Sequence, residues 1–199
     1  MNNKVNDLMK KNTFIALVLA GTVASGPVMA ANNAKLTFTA TITPGTCDVA
    51  TIPATTLPLG SVDPNQLSGK NQVITGTKPF TVNLACTGTG PAAAAPKVTL
   101  SGTAMTGGTD SKKLFRDTAS TSAGFGVAIA PVATPTTAPV WTSLKGNADT
   151  LPVTVPPGGS PAPIQMAAGV ACGSTADCAV ATLKAGTLTA GVTFTFAYN

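Results

Sequence analysis

Over residues 186–199 apolar and polar side chains exchange with a period of two: Val192, Phe194, Phe196 and Tyr198 alternate with Thr193, Thr195, Ala197 and Asn199. That period predicts a strand with one buried face. No charge lies from Gly186 onward, so the strand lacks the charge or proline that usually blunts a sheet edge. A second strand of the same kind stands near the other end. Leu36, Phe38, Ala40 and Ile42 alternate with Thr37, Thr39 and Thr41, and Pro44-Gly45 ends the run with a turn signal.

Between these two, strand-length patterns follow one another with turn residues between them. Cys47-Asp48-Val49 starts a strand, and residues 57–62 read as a kinked edge strand, because Pro58 cannot donate to a central ladder. Phe80, Val82, Leu84 and Cys86 point to one face. Val98 with Leu100, then Phe125, Val127 and Ile129, then Leu151, Val153 and Val155, then Ile164 with Met166 give further strands. Proline-rich loops at residues 131–139 and 156–163 separate them, and Trp141 and Leu144 are expected in the core or lining a groove. No amphipathic helix, internal repeat or second domain is evident. The pattern predicts an all-β sandwich of immunoglobulin type.

Composition narrows the chemistry. The 199 residues are 44% hydrophobic and only 10% charged, with no histidine and no glutamate, so the usual general base and the longer carboxylate are both missing. Lys4, Lys10 and Lys11 precede an apolar run at residues 14–24 and then Val28-Met29-Ala30, the arrangement of a secretory signal peptide cleaved after Ala30. Met9 offers an alternative start for it. From residue 31 onward nine Lys or Arg face six Asp, a scattered net +3 that predicts no nucleic-acid partner. Export makes disulfides stable. Four cysteines allow three pairings. The expected set is Cys47 with Cys86 and Cys172 with Cys178, closing loops worth about 4 and roughly 2.5 kcal/mol. A zinc site is disfavoured by the single six-residue step, the missing histidine and the oxidising compartment.

Several stretches taken together resemble the type 1 pilins of the chaperone-usher route. They are Leu36-Thr37-Phe38 before Cys47, Leu59-Gly60-Ser61-Val62, Phe80-Thr81-Val82-Asn83-Leu84 before Cys86, Val98-Thr99-Leu100-Ser101-Gly102, Gly124-Phe125-Gly126-Val127, and the ending with Gly186 fourteenth from the end and Tyr198 penultimate. The resemblance implies an immunoglobulin-like sandwich lacking its seventh strand and completed by donor-strand exchange. It divides the chain into a signal peptide (1–30), a donor extension (31–43) and a pilin domain (44–199). Leu36, Phe38, Ala40 and Ile42 would be the donor residues. Gly186, Val192, Phe194, Phe196 and Tyr198 would form the strand beside the groove that a chaperone recognises. Cys47 and Cys86 match the family disulfide. Ala40 stands where donors of the family usually carry glycine, and the Cys172–Cys178 pair and the 156–163 loop are additions to the pattern. The implied partners are a periplasmic chaperone, an outer-membrane usher and neighbouring pilin subunits. The implied location is a fimbrium on the bacterial surface, reached through the periplasm and supporting adhesion, with no cofactor and no metal.

Two other functions compete with this reading. An enzyme would have to be built around Asp110 and Asp117 without His or Glu. A monomeric secreted binding module, carbohydrate-binding or adhesin-like, would need a stacking platform, for which Trp141 with Phe115 or Phe125 are the candidates.

Overall fold

The structure, a computed structural model, describes residues 37–41, 45–88, 95–156 and 159–198. It divides into two units, Met1–Thr41 and Ile42–Asn199, so residues 37–41 are treated separately from the body. The expected signal peptide lies outside the described residues.

The body is all β. Its strands are β1 (Thr46–Ile52), β2 (Ile74–Thr87), β3 (Lys97–Gly102), β4 (Leu114–Phe115), β5 (Gly126–Pro131), β6 (Thr150–Pro152), β7 (Ile164–Ala171) and β8 (Val192–Ala197). Among the described residues the only helical pieces are single 3-10 turns. Two antiparallel sheets form, one in the order β1-β2-β7-β5-β4 and the other β6-β3-β8. The main core lies between them. Phe80, Val82 and Leu84 of β2 and Ile129, Met166 and Ala168 of β5 and β7 meet Val98, Leu100 and Leu151 of the smaller sheet. Alternation along β2, β3 and β8 puts every second residue there, as a sheet with one wet face requires.

β5 and β7 depart from that alternation because both of their faces are covered. Ala128, Ala130 and Ala171 point outward, yet they are buried under Trp141, Leu144, Leu114 and Met105 in a second apolar cluster. Small residues on this outer face let the 139–146 segment lie close to the sheet. A strand buried on both faces reads as a continuous apolar run. For the same reason β4, two residues long, left no pattern in the sequence. Trp141 belongs to this second cluster and does not line a groove.

Residues 57–62 form no strand. Pro58 has no N–H to give, and Gly60 sits at φ +81°, a left-handed conformation that breaks an extended run. Leu57 and Leu59 still pack on the main core. Their spacing therefore imitated a strand without any ladder. Both expected disulfides are formed. Cys47 and Cys86 are directly opposed in the β1–β2 ladder. Cys172 and Cys178 close the loop that follows β7.

Asp177, inside that loop, is its electrostatic anchor. Its carboxylate accepts from the Ser174 hydroxyl (2.9 Å) and from the N–H groups of Thr109 (3.1 Å), Ser174 (3.2 Å) and Asp110 (3.4 Å). Partial burial pushes the carboxyl pKa up, but these hydrogen bonds to the charged form outweigh it and hold the group below the ordinary carboxylate value. A depressed folded pKa contributes stability above the unfolded value, near 3.9, which is lost as pH falls through the folded one. Asp177→Asn is therefore expected to lower the melting temperature at pH 7. The gap from the parent should close as the pH drops below about 4, which melting curves from pH 7 to pH 2 would measure. A gap that stays constant over that range would remove the carboxylate from this role.

Candidate functional site

One long groove of about 930 Å³ runs along the body. Its floor is the inner face of the larger sheet: Phe80 from β2, Val127 and Ile129 from β5, Ala168 and Val170 from β7, with Phe125 just before β5. One wall is the irregular segment of residues 55–62. The other is residues 185–192 with Phe194. Among the described residues Asp117 is the one charged residue in the lining.

Both walls present unpaired backbone. β8 bonds to β3 along one edge, in the register Lys97↔Ala197 to Gly102↔Val192. It ends the β6-β3-β8 sheet, and among the described residues no strand pairs with its other edge. Across the gap, no backbone–backbone hydrogen bond joins residues 55–62 to another segment among the described residues. Main-chain groups need partners when water is excluded. A groove with an apolar floor and two open backbone edges is therefore shaped to receive an extended chain.

The approach to β8 is fixed by a zipper of short polar contacts. Asp117 N–H donates to the Thr189 carbonyl (2.8 Å), and Thr121 N–H donates to that of Thr187 (2.9 Å). Thr187 N–H returns a bond to Thr121 Oγ1 (2.9 Å), and Thr189 N–H one to Ser120 Oγ (3.0 Å). Arg116 holds the other side of this turn. Its guanidinium donates to the carbonyls of Phe125 (2.9 Å), Ser120 (3.2 Å) and Ser122, and to Ser122 Oγ (3.1 Å). Gly186 sits where this zipper is tightest. A Cβ there would come 2.6 Å from Ser122 N and 2.8 Å from the carbonyl carbon of Thr121, so only glycine lets the backbones approach.

The groove-strand residues named from the sequence divide into two sets. Gly186, Val192 and Phe194 line the groove. Phe194 packs its ring against Phe80, with centroids 6.0 Å apart. Val192, Phe194 and Phe196 all pack on the main core, but Phe196, opposite Val98, does so outside the groove lining. Tyr198 lies edge-on to Phe196 at 5.0 Å, its buried hydroxyl without a partner among the described residues. Of the donor residues, Leu36 and Ile42 lie outside the described residues. Phe38 is exposed, and Ala40 shares its irregular stretch. The alternation of Phe125, Val127 and Ile129 predicts a strand but carries no sign that these residues form the floor of a groove. Asp117, with Ser120 and Ser122, gave no periodic signal at all.

The residues considered for other functions are not arranged for them. Trp141, Phe115 and Phe125 are all buried, in three different clusters, so they make no exposed stacking platform. Asp110 accepts from Gln72 Nε2 (3.1 Å), whereas Asp117 lies on the groove side of its turn. Among the described residues no group of three or more His, Cys, Asp or Glu is placed to hold a metal.

Comparison with known proteins supplies the class. The model of the Fimbrial protein family matches residues 36–199. The chain belongs to that family, whose members are structural and not enzymatic, and it is a structural subunit of a surface fimbrium that assembles with other pilin subunits. Among solved structures it is similar to the P pilus rod subunit PapA, with 15% identity, 83% of this chain and 99% of that one covered, and a TM-score of 0.47. It is also similar to the CupB6 tip adhesin from Pseudomonas aeruginosa, with 16% identity and a TM-score of 0.44. That match covers 64% of this chain and 31% of the adhesin chain, so the chain spans under a third of the adhesin's length. No curated protein matches.

Proposed function

We propose that the groove is an acceptor site for the N-terminal extension, residues 31–43, of a second copy or a neighbouring subunit, so that the fimbria grows by donor-strand exchange. The observation that carries this reading is the pairing of an apolar floor with two unpaired backbone edges, one of them β8. Leu36, Phe38, Ala40 and Ile42 would face the floor. Burial of the three larger ones is worth roughly 5 to 8 kcal/mol, before any main-chain ladder is counted. Because each subunit gives one strand and receives another, the contact is head-to-tail and does not close. Such contacts build filaments.

Before assembly the same open groove is an aggregation hazard. A periplasmic chaperone lending a strand, followed by exchange at an outer-membrane usher, is the route this implies, after export on the signal peptide of residues 1–30.

Deleting residues 31–43 tests the reading. The shortened subunit is expected to accumulate in the periplasm in complex with its chaperone while the cells carry no filaments of it by electron microscopy. Filaments built from the shortened chain would overturn the assignment of donor and acceptor.

A further inference from the structure

The Cys172–Cys178 disulfide crosses only a six-residue step and joins neither sheet to the other. Both cysteines are fully buried, in a third apolar cluster with Leu67, Phe125 and Val170. Leu59, Val62 and Leu188 pack over that cluster. Phe125 and Val170 are floor, Leu59 and Val62 belong to one wall, and Leu188 belongs to the other. The two walls, far apart in sequence, thus both rest on one cross-linked point at one end of the groove.

Main-chain bonds make the junction tighter. Gly69 N–H donates to the Cys178 carbonyl (2.8 Å) and Gln72 N–H to that of Gly173 (2.7 Å), which ties the loop to the segment following the first wall. Gln72 is held at φ +56°, a conformation that non-glycine residues adopt only when their surroundings impose it. On the other side Thr182 Oγ1 donates to the Asp177 carbonyl (2.7 Å), just ahead of the second wall. None of the four cysteines lines the groove itself; Cys172 and Cys178 lie beneath it, in the cluster that holds the floor residues Phe125 and Val170.

We propose, on the acceptor-groove reading given above, that the Cys172–Cys178 disulfide is a positioning clamp. It holds the two walls apart at the Val62–Leu188 end, so that a donor strand from a second copy meets a preformed site there. Without the cross-link the walls sample closed or splayed arrangements, and only the fraction correctly spaced admits a donor. Apparent affinity falls in proportion to that fraction, so a state populated a tenth of the time costs roughly tenfold.

The test uses the full chain, refolded with its disulfides formed, and a fluorescent peptide of residues 31–43 followed by anisotropy. Three variants are compared with the parent. The double substitution C172S/C178S removes the clamp. Leu67→Ala leaves the disulfide but hollows the cluster beneath the walls. Leu144→Ala destabilises the second cluster, which lines no part of the groove. Peptide capture is expected to weaken roughly tenfold in C172S/C178S and several-fold in Leu67→Ala. In Leu144→Ala it should stay at the parent level despite a lower melting temperature. Should the double variant not fold, C172A/C178A, which keeps the buried site apolar, takes its place. Capture at the parent level in the cysteine variant, or an equal loss in Leu144→Ala, would overturn the clamp and leave the acceptor groove standing. No capture by the parent itself would overturn the acceptor groove, and the clamp with it.

Discussion

A copy of residues 36–42 appended after Asn199 through a short Gly/Ser linker is expected to convert the subunit into a stable monomer that no longer needs a chaperone and does not polymerise. The reason is geometric. β8 runs from Val192 and Phe194, which line the groove, on to Ala197, so a strand that turns back from the C-terminus has only a short way to go to reach the open edges. A short flexible linker supplies an effective concentration in the millimolar range, enough to exclude donors from other copies. The roughly 5 to 8 kcal/mol from apolar burial, at about 2 to 4 °C per kcal/mol for a domain of this size, predicts a melting temperature higher by roughly 10 to 30 °C. Differential scanning calorimetry and size-exclusion chromatography would read both effects. An unchanged melting point would mean that the groove does not lack this strand.

Phe194→Asp should have the opposite and equally large effect. Phe194 is the residue of β8 whose ring rests on Phe80 in the groove itself. A carboxylate there would be buried by any incoming strand. Among the described residues no Lys or Arg lines the groove to pair with it, and burying an unpaired charge costs several kcal/mol. Cells carrying this variant should show no assembled fimbriae and rapid loss of the subunit from the periplasm, measured by immunoblot and electron microscopy. Phe196→Asp, outside the groove lining, should be damaging through the main core alone, and so should lower the melting temperature of a self-complemented monomer. Normal filament numbers with Phe194→Asp would place the exchange surface elsewhere.

How far residue pattern leads can be judged from three places. β8 was readable because one of its faces is buried and the other wet, which gives a strict period of two. That same period shows which residues share a face but not where the opposite sheet stops, and so it does not show that Phe194 also lines the groove while Phe196 does not. Residues 57–62 read as a strand in the sequence yet form none, because Leu57 and Leu59 bury side chains from an irregular backbone, a contact that pattern alone cannot tell from a ladder. The zipper of Asp117, Ser120 and Thr121 with Thr187 and Thr189 left no trace, since small polar residues bonding across a long sequence gap have no period. Gly186 was singled out by its place fourteenth from the end. The need for glycine there appears only when the backbone of Thr121 and Ser122 is seen against it.

Among the described residues the groove carries a single charged lining residue, Asp117, and the chain has no histidine. A junction made from apolar side chains and main-chain hydrogen bonds gives dissolved ions little to screen, and histidine is the side chain whose ordinary titration falls between pH 5 and 8. A fibre linked in this way would hold its length in dilute or salty, mildly acidic or neutral surroundings alike. Its breaking would be set by how fast a buried strand can be peeled out, residue by residue, against the walls that grip it.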